Sequence, residues 1–150
     1  MSDLVSCPAS EGVPDGFFRL AESVYQDDPE WVPEDKPALL TRFSEANSWF
    51  RQGKAQAFLV HDQARAVAFV PNGLVIEGCK VGFFGFFESR GDSEADRRLF
   101  AAVESWLRAH EVSRVYGPVD FSTYGNYRIR LSSESDARTF QTEPHNPSYY

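Results

Sequence analysis

Between residues 80 and 120 the spacing of apolar positions changes twice. Residues 80–88 (KVGFFGFFE) hold four phenylalanines and two glycines in nine positions. A run apolar on both faces predicts a central, doubly covered strand. From residue 93 to 110 the period becomes helical. Leu99, Val103, Trp106 and Leu107 form one stripe, and Arg97, Arg98, Glu104 and Arg108 fall off it. Ser93 reads as the N-cap, with Asp96 three residues on as in a capping box. Residues 113–119 read as a second strand, closed by Gly117 and Pro118. Strand, helix and strand within about forty residues make a βαβ unit, with parallel strands and a right-handed crossover.

The first half patterns differently. Residues 1–13 are small and polar and read as a flexible N-terminus. Pro14 opens a short helix to Tyr25, with Phe17, Leu20, Ala21 and Val24 as its apolar side. Residues 26–33 (QDDPEWVP) are a loop held by two prolines and a buried Trp31, and residues 34–43 a second helix facing Leu39, Leu40 and Phe43 inward. Residues 55–61 and 66–70 predict an antiparallel pair, and residues 74–76 a short extra strand. After Asp120, residues 121–131 read as loop plus strand, and 132–150 as a polar, proline-held tail. Adjacent aromatics at Tyr149 and Tyr150 call for a surface to lie on. The expected fold is one α+β (mixed α/β) domain over residues 14–131: a meander, then the βαβ unit, and not a doubly wound sheet.

Charge and composition narrow the function. A formal charge of −7 argues against a nucleic-acid or anionic-membrane binder, since both need a basic face. No apolar run reaches the roughly 20 residues of a membrane span. The first residues lack the basic and apolar regions of a secretory signal, so the expected setting is the cytoplasm. Cys7 and Cys79 are then expected as reduced thiols. His61, His110 and His145 have no metal-ligand spacing, and no metal is expected. The cluster Phe83, Phe84, Phe86 and Phe87 can be core or the lining of an acyl channel; the pattern leaves both open. Asp120 and Ser122 end a parallel strand, where ligands bind in open sheets, although a structural turn explains them equally. No nucleophile elbow is present.

Two short helices, a meander and strand–helix–strand resemble the N-terminal and central part of the GNAT acyl-CoA N-acyltransferase fold. DPEWVP (28–33), VGFFGFFES (81–89), ESWLR (104–108), RVYGPVDFS (114–122) and HNPSYY (145–150) resemble, in order and spacing, its bacterial ceramide-synthase-like branch. The resemblance implies acyl-CoA or acetyl-CoA as co-substrate and a small-molecule or lipid amine as acceptor. It places the pantetheine arm on the backbone of Phe84, Gly85, Phe86 and Phe87, in a gap where two strands splay. The pyrophosphate would lie on residues 89–95, with Ser89, Arg90, Gly91 and Ser93, at a helix N-terminus suited to an anion. That turn departs from the family's basic, glycine-rich pattern: it has one Arg and one Gly among Glu88, Asp92 and Glu94.

The implied mechanism is direct attack of an amine on the thioester, which needs a base and a donor to the leaving thiolate. Glu88 is the candidate base, because burial beside Phe86 and Phe87 would raise its pKa. Tyr124 is the candidate donor, with Tyr116 and Tyr127 as substitutes. A strand-end carboxylate in solvent or paired with Arg90, and a loop tyrosine packed on the core, are the plain alternatives. A GNAT core continues past the second strand, so the chain reads as a truncated domain, one whose sheet a partner completes, or a fold that has lost the acceptor half. A second function follows: a non-catalytic GNAT-like module that binds a partner or self-associates through its C-terminal end.

Overall fold

A computed structural model describes residues 3–131 and 144–150. Within the N-terminal segment expected to be flexible, the chain forms a strand. Leu4–Pro8 forms strand β1, antiparallel to the far edge of the meander, with Leu4 opposite Val60 and Pro8 opposite Gln56. Polar spacing hid this strand, because an edge strand with one solvated face needs few apolar residues. Helices α1 (Phe17–Val24) and α2 (Lys36–Arg42) follow, the second capped by the Asp35 side chain on the Ala38 N–H. Leu39 and Phe43 turn inward as expected, but Leu40 is exposed. A short 3-10 turn, Ser48–Arg51, leads into β2 (Gly53–Val60) and β3 (Ala64–Pro71). β4 (Val75–Ile76), β5 (Cys79–Ser89), α3 (Ser93–Ala109) and β6 (Arg114–Tyr116) complete the chain order.

The sheet runs β1-β2-β3-β5-β4, with β6 also on β5. All pairings are antiparallel except β5 with β6, which is parallel from Val81 with Arg114 to Phe83 with Tyr116. The fold is therefore mixed α/β, a meander followed by the βαβ unit. Side chains of β3 alternate between two cores. Ala66, Ala68 and Val70 face α3, packing with Leu99, Val103 and Leu107. Val67 and Phe69 face the other side, with Phe17, Leu39, Phe43 and Phe86. The alanines let the helix lie close to the sheet; the phenylalanines fill the wider gap under the two short helices.

Three local expectations are corrected. The cap of α3 is Asp92, one residue before Ser93; its carboxylate accepts from the Glu94 and Ala95 N–H groups. The second strand of the βαβ unit pairs over three residues only. Residues 121–131 make one bridge, Val119 with Tyr127, and no strand. Residues 132–143 of the expected tail lie outside the described residues. Cys7 and Cys79 are both half-buried free thiols.

Candidate active site

β5 shapes the site through a bulge. Arg65 pairs with Glu88, but Val67 pairs with Gly85, so β5 carries one extra residue between them. Phe86 takes a left-handed φ of 50° there, a conformation non-glycine residues adopt rarely. Its N–H turns to the sheet edge and donates to Asp120 Oδ1 at 2.6 Å. Gly85 is required at this crossing, because a Cβ would collide with the Val119 carbonyl. The last turn of β5 then aims Glu88 into a cavity of about 780 Å³, walled by Tyr25, Arg42, Arg65, Asp120 and Tyr150 among others.

Arg65 is the buried centre of this wall. Its side chain is 1% exposed; Nη2 donates to both Glu34 oxygens at 3.0 and 3.2 Å, and Nη1 to the Phe17 carbonyl at 2.8 Å. The guanidinium lies 4.6 Å from the Phe17 ring centroid, and among the described residues its Nε has no hydrogen-bond partner. Because Glu34 takes the direct bonds, Glu88 is left to hydroxyl donors. Tyr150 donates to Glu88 Oε2 at 2.9 Å, and Tyr25, whose hydroxyl donates to the His145 carbonyl at 3.4 Å, is the second phenol in the wall beside that carboxylate. Burial pushes Glu88 up to about 7, against the pull of Arg65 and the two phenols. Burial likewise pushes Asp120 up to about 6, partly offset by the Phe86 N–H, Arg65 and Arg42. Tyr25 and Tyr150 are raised by burial and then by the Glu88 charge, so both remain proton donors at neutral pH.

Aromatic packing fixes the phenols. Tyr25 stacks on the half-buried Trp31 at 5.2 Å, and Tyr150 packs on Phe87 at 5.1 Å. The segment carrying Tyr150 is tied down upstream. His145 Nε2 meets Asp28 Oδ2 at 2.7 Å, and Asn146 bonds both the N–H and the carbonyl of Arg130. Burial alone would raise Asp28, but the His145 bond and the Glu30 N–H outweigh it, and its pKa is lowered. Arg42 donates to the Asp120 carbonyl at 3.1 Å and lies over the Phe86 and Phe121 rings, holding the turn that carries Asp120.

The sequence-predicted site residues divide into two groups. Glu88 sits where a base would be useful. Tyr124 does not meet it: its side chain is fully exposed at the cavity rim, and the phenols beside Glu88 are Tyr25 and Tyr150. Glu88 is not paired with Arg90, whose Nη1 donates to Ser23 Oγ at 3.3 Å. The backbone expected to receive a cofactor is already bonded within the chain. The Phe84 carbonyl accepts from the Val119 N–H, Phe86 N–H goes to Asp120, and Ser89 N–H goes to the Tyr150 oxygen. Phe87 packs on Phe100 and Tyr150. At the turn, the Gly91 N–H donates to Ser89 Oγ, Ser89 Oγ donates to Asp96, and Asp92 takes two N–H groups of α3. Ser93 is exposed on the first turn of the helix. Among the described residues no cluster of three or more His, Cys, Asp or Glu could hold a metal, and no helix is long and apolar enough to cross a membrane.

The sequence reading missed Tyr25, Glu34 and Arg65 as parts of the site. Arg65 did carry a signal: it is a lone cation at the start of an apolar strand, where a charge must be paired to be buried.

No family model matches the chain. Protein YghO of Escherichia coli (strain K12) is 27% identical over 143 residues, covering 89% of this chain and 35% of that protein. The chain thus spans about a third of the length of that relative. Among solved structures, a candidate acetyl transferase from Pyrococcus furiosus is similar over 79% of this chain and 83% of its own, with 14% identity and a TM-score of 0.41.

Proposed function

We propose that the chain is the acyl-CoA-binding and base-bearing part of a GNAT-type N-acyltransferase that uses an acyl-CoA and a small-molecule or lipid amine. The observation that carries this reading is Glu88: a buried carboxylate at the end of the central strand, facing a cavity, held by the Tyr150 phenol and pushed up to about 7. A base for an alkylammonium must be ionised often enough to accept a proton and basic enough to keep it. A carboxylate near 7 meets both needs at neutral pH. Glu88 takes one proton from the ammonium and the free amine attacks the thioester carbonyl; the C–N bond forms, the C–S bond breaks, and a second nitrogen proton passes to the leaving thiolate, giving the amide and the free thiol. Tyr25 and Tyr150 stabilise the ionised form of Glu88 before attack.

Free-thiol release from acetyl-CoA and a long-chain acyl-CoA, across a panel of primary amines, tests this. Glu88→Gln should abolish release while leaving the circular dichroism spectrum unchanged. Full activity in that variant removes Glu88 as the base.

The Asp92 cap and the internally bonded turn favour a second reading, a non-catalytic GNAT-like module whose partner or second copy binds at the C-terminal tyrosines. It predicts no thiol release with any pair, and a change of oligomeric state or loss of complex on replacing Tyr149.

A further inference from the structure

β5 outruns its parallel partner. β6 pairs it only from Val81 to Phe83, yet β5 continues to Ser89. The backbone groups of that outer edge still need partners, and the chain supplies them from side chains. Phe86 N–H donates to Asp120 Oδ1 at 2.6 Å. Ser89 N–H donates to the Tyr150 phenol oxygen at 2.6 Å, and the Tyr149 hydroxyl donates to the Ser89 carbonyl at 2.8 Å. Both backbone groups of one residue are thus capped by two consecutive phenols. The Tyr149 ring also covers Gly91, where an added Cβ would sit 3.2 Å from it. A free strand edge is a template for any extended chain that carries amides. The pantetheine arm of coenzyme A, with its two amides, is such a chain.

We propose that Tyr149 and Tyr150 occupy the β5 edge as an internal stand-in for the pantetheine arm, so that acyl-CoA binds only once they swing off Ser89. This rests on the acyl-CoA reading above. The swing has a natural pivot. Asn146 is bonded at both backbone groups of Arg130, and His145 is held by Asp28, so the chain is fixed up to Pro147 and moves beyond it. Departure of Tyr150 has a second effect. The hydroxyl that accepts from Ser89 N–H also donates to Glu88 Oε2. The arriving co-substrate therefore releases the base from the Tyr150 phenol, and Glu88 is freed only when a thioester is present to be attacked.

Calorimetric titration of coenzyme A into the wild-type chain, Tyr149→Phe and Tyr150→Phe tests this, because a competitor and a ligand contact give opposite signs. If the phenols are stand-ins, each lost hydroxyl removes a competing bond. The dissociation constant then falls roughly threefold to tenfold per variant. Hydrogen exchange reads the same contact without ligand: the Ser89 amide is protected in the wild type and exchanges faster in Tyr150→Phe. Coenzyme A should loosen residues 148–150 in the wild type. Weaker binding by the variants, equal binding by all three, or protection of residues 148–150 by coenzyme A overturns the proposal alone. No binding by any form, each shown folded by circular dichroism, overturns the acyl-CoA reading and the proposal together.

Discussion

The raised carboxylate at Glu88 makes a stability prediction that does not depend on any substrate. Its pKa moves from 4.5 to about 7 on folding, chiefly by burial. A folded pKa above the unfolded one means the native state holds the proton more tightly. Between those values the unfolded chain binds fewer protons, so stability falls as pH rises. The contribution is fully present below about 4.5 and is lost by about 7 and above. The shift corresponds to about 3 kcal/mol at 1.36 kcal/mol per pKa unit, and relaxation of the cavity reduces it toward about 2. Against a typical total of about 5–15 kcal/mol that is a large share.

Glu88→Gln removes the titration while keeping an acceptor for Tyr150. Urea unfolding at pH 5, 6, 7 and 8 should show the wild type losing about 3–4 kcal/mol across the range, about 2–3 of it from Glu88. Glu88→Gln should lose distinctly less, keeping the slope due to Asp120, which is pushed up to about 6. The double variant with Asp120→Asn should be nearly flat. Parallel pH profiles for wild type and Glu88→Gln would refute the reasoning, because they would mean Glu88 ionises as easily folded as unfolded.

Other perturbations separate the parts of the site. Arg65→Met leaves Glu34 and the Phe17 carbonyl without their donor; breaking a buried pair this way should cost about 3–5 kcal/mol in urea unfolding. The same variant should raise the apparent pKa values of Glu88 and Asp120 further, since Arg65 lowers both, and carbon-13 NMR of the carboxyls would read the shift. Gly85→Ala should cost about 2 kcal/mol or more, because its Cβ meets the Val119 backbone rather than a side chain that can turn away. Leu99→Ala, fully buried on the inner face of α3, should cost about 2–5 kcal/mol, and Leu40→Ala, exposed, within about 0.5.

How much of this was legible beforehand depended on the range of the interaction that decided it. Period alone exposed β5 and α3, since Phe-rich continuity and the stripe Leu99, Val103, Leu107 are local signals. β1 was not legible, because its stability comes from pairing with β2, more than forty positions away. The cap of α3 was misplaced by one residue because Ser93 and Asp92 are both good caps, and only the turn geometry chooses between them.

Glu88 could be singled out because a carboxylate ending a fully apolar strand is a local anomaly. Its partners could not, since Tyr25, Arg65 and Tyr150 come from three separate elements and meet only through the bulge at Phe86. Tyr124 was preferred because it follows the second strand closely in sequence, yet the strand stops at Tyr116 and the intervening turn carries Tyr124 to the rim. In the sequence, adjacent aromatics at Tyr149 and Tyr150 call for a surface without naming it. The surface is the β5 edge itself, and that ties the two halves of the site into one unit. The phenol that closes the edge at Ser89 is the phenol bonded to Glu88, so in the proposed opening a ligand that displaces Tyr150 also alters Glu88. A variant that separates these effects is Tyr149→Phe, which weakens the hold on the Ser89 carbonyl and leaves the Tyr150–Glu88 bond in place. It should tighten coenzyme A binding while leaving the pH slope of stability at its wild-type value. A changed slope in Tyr149→Phe would mean that the two tyrosines act as one rigid unit.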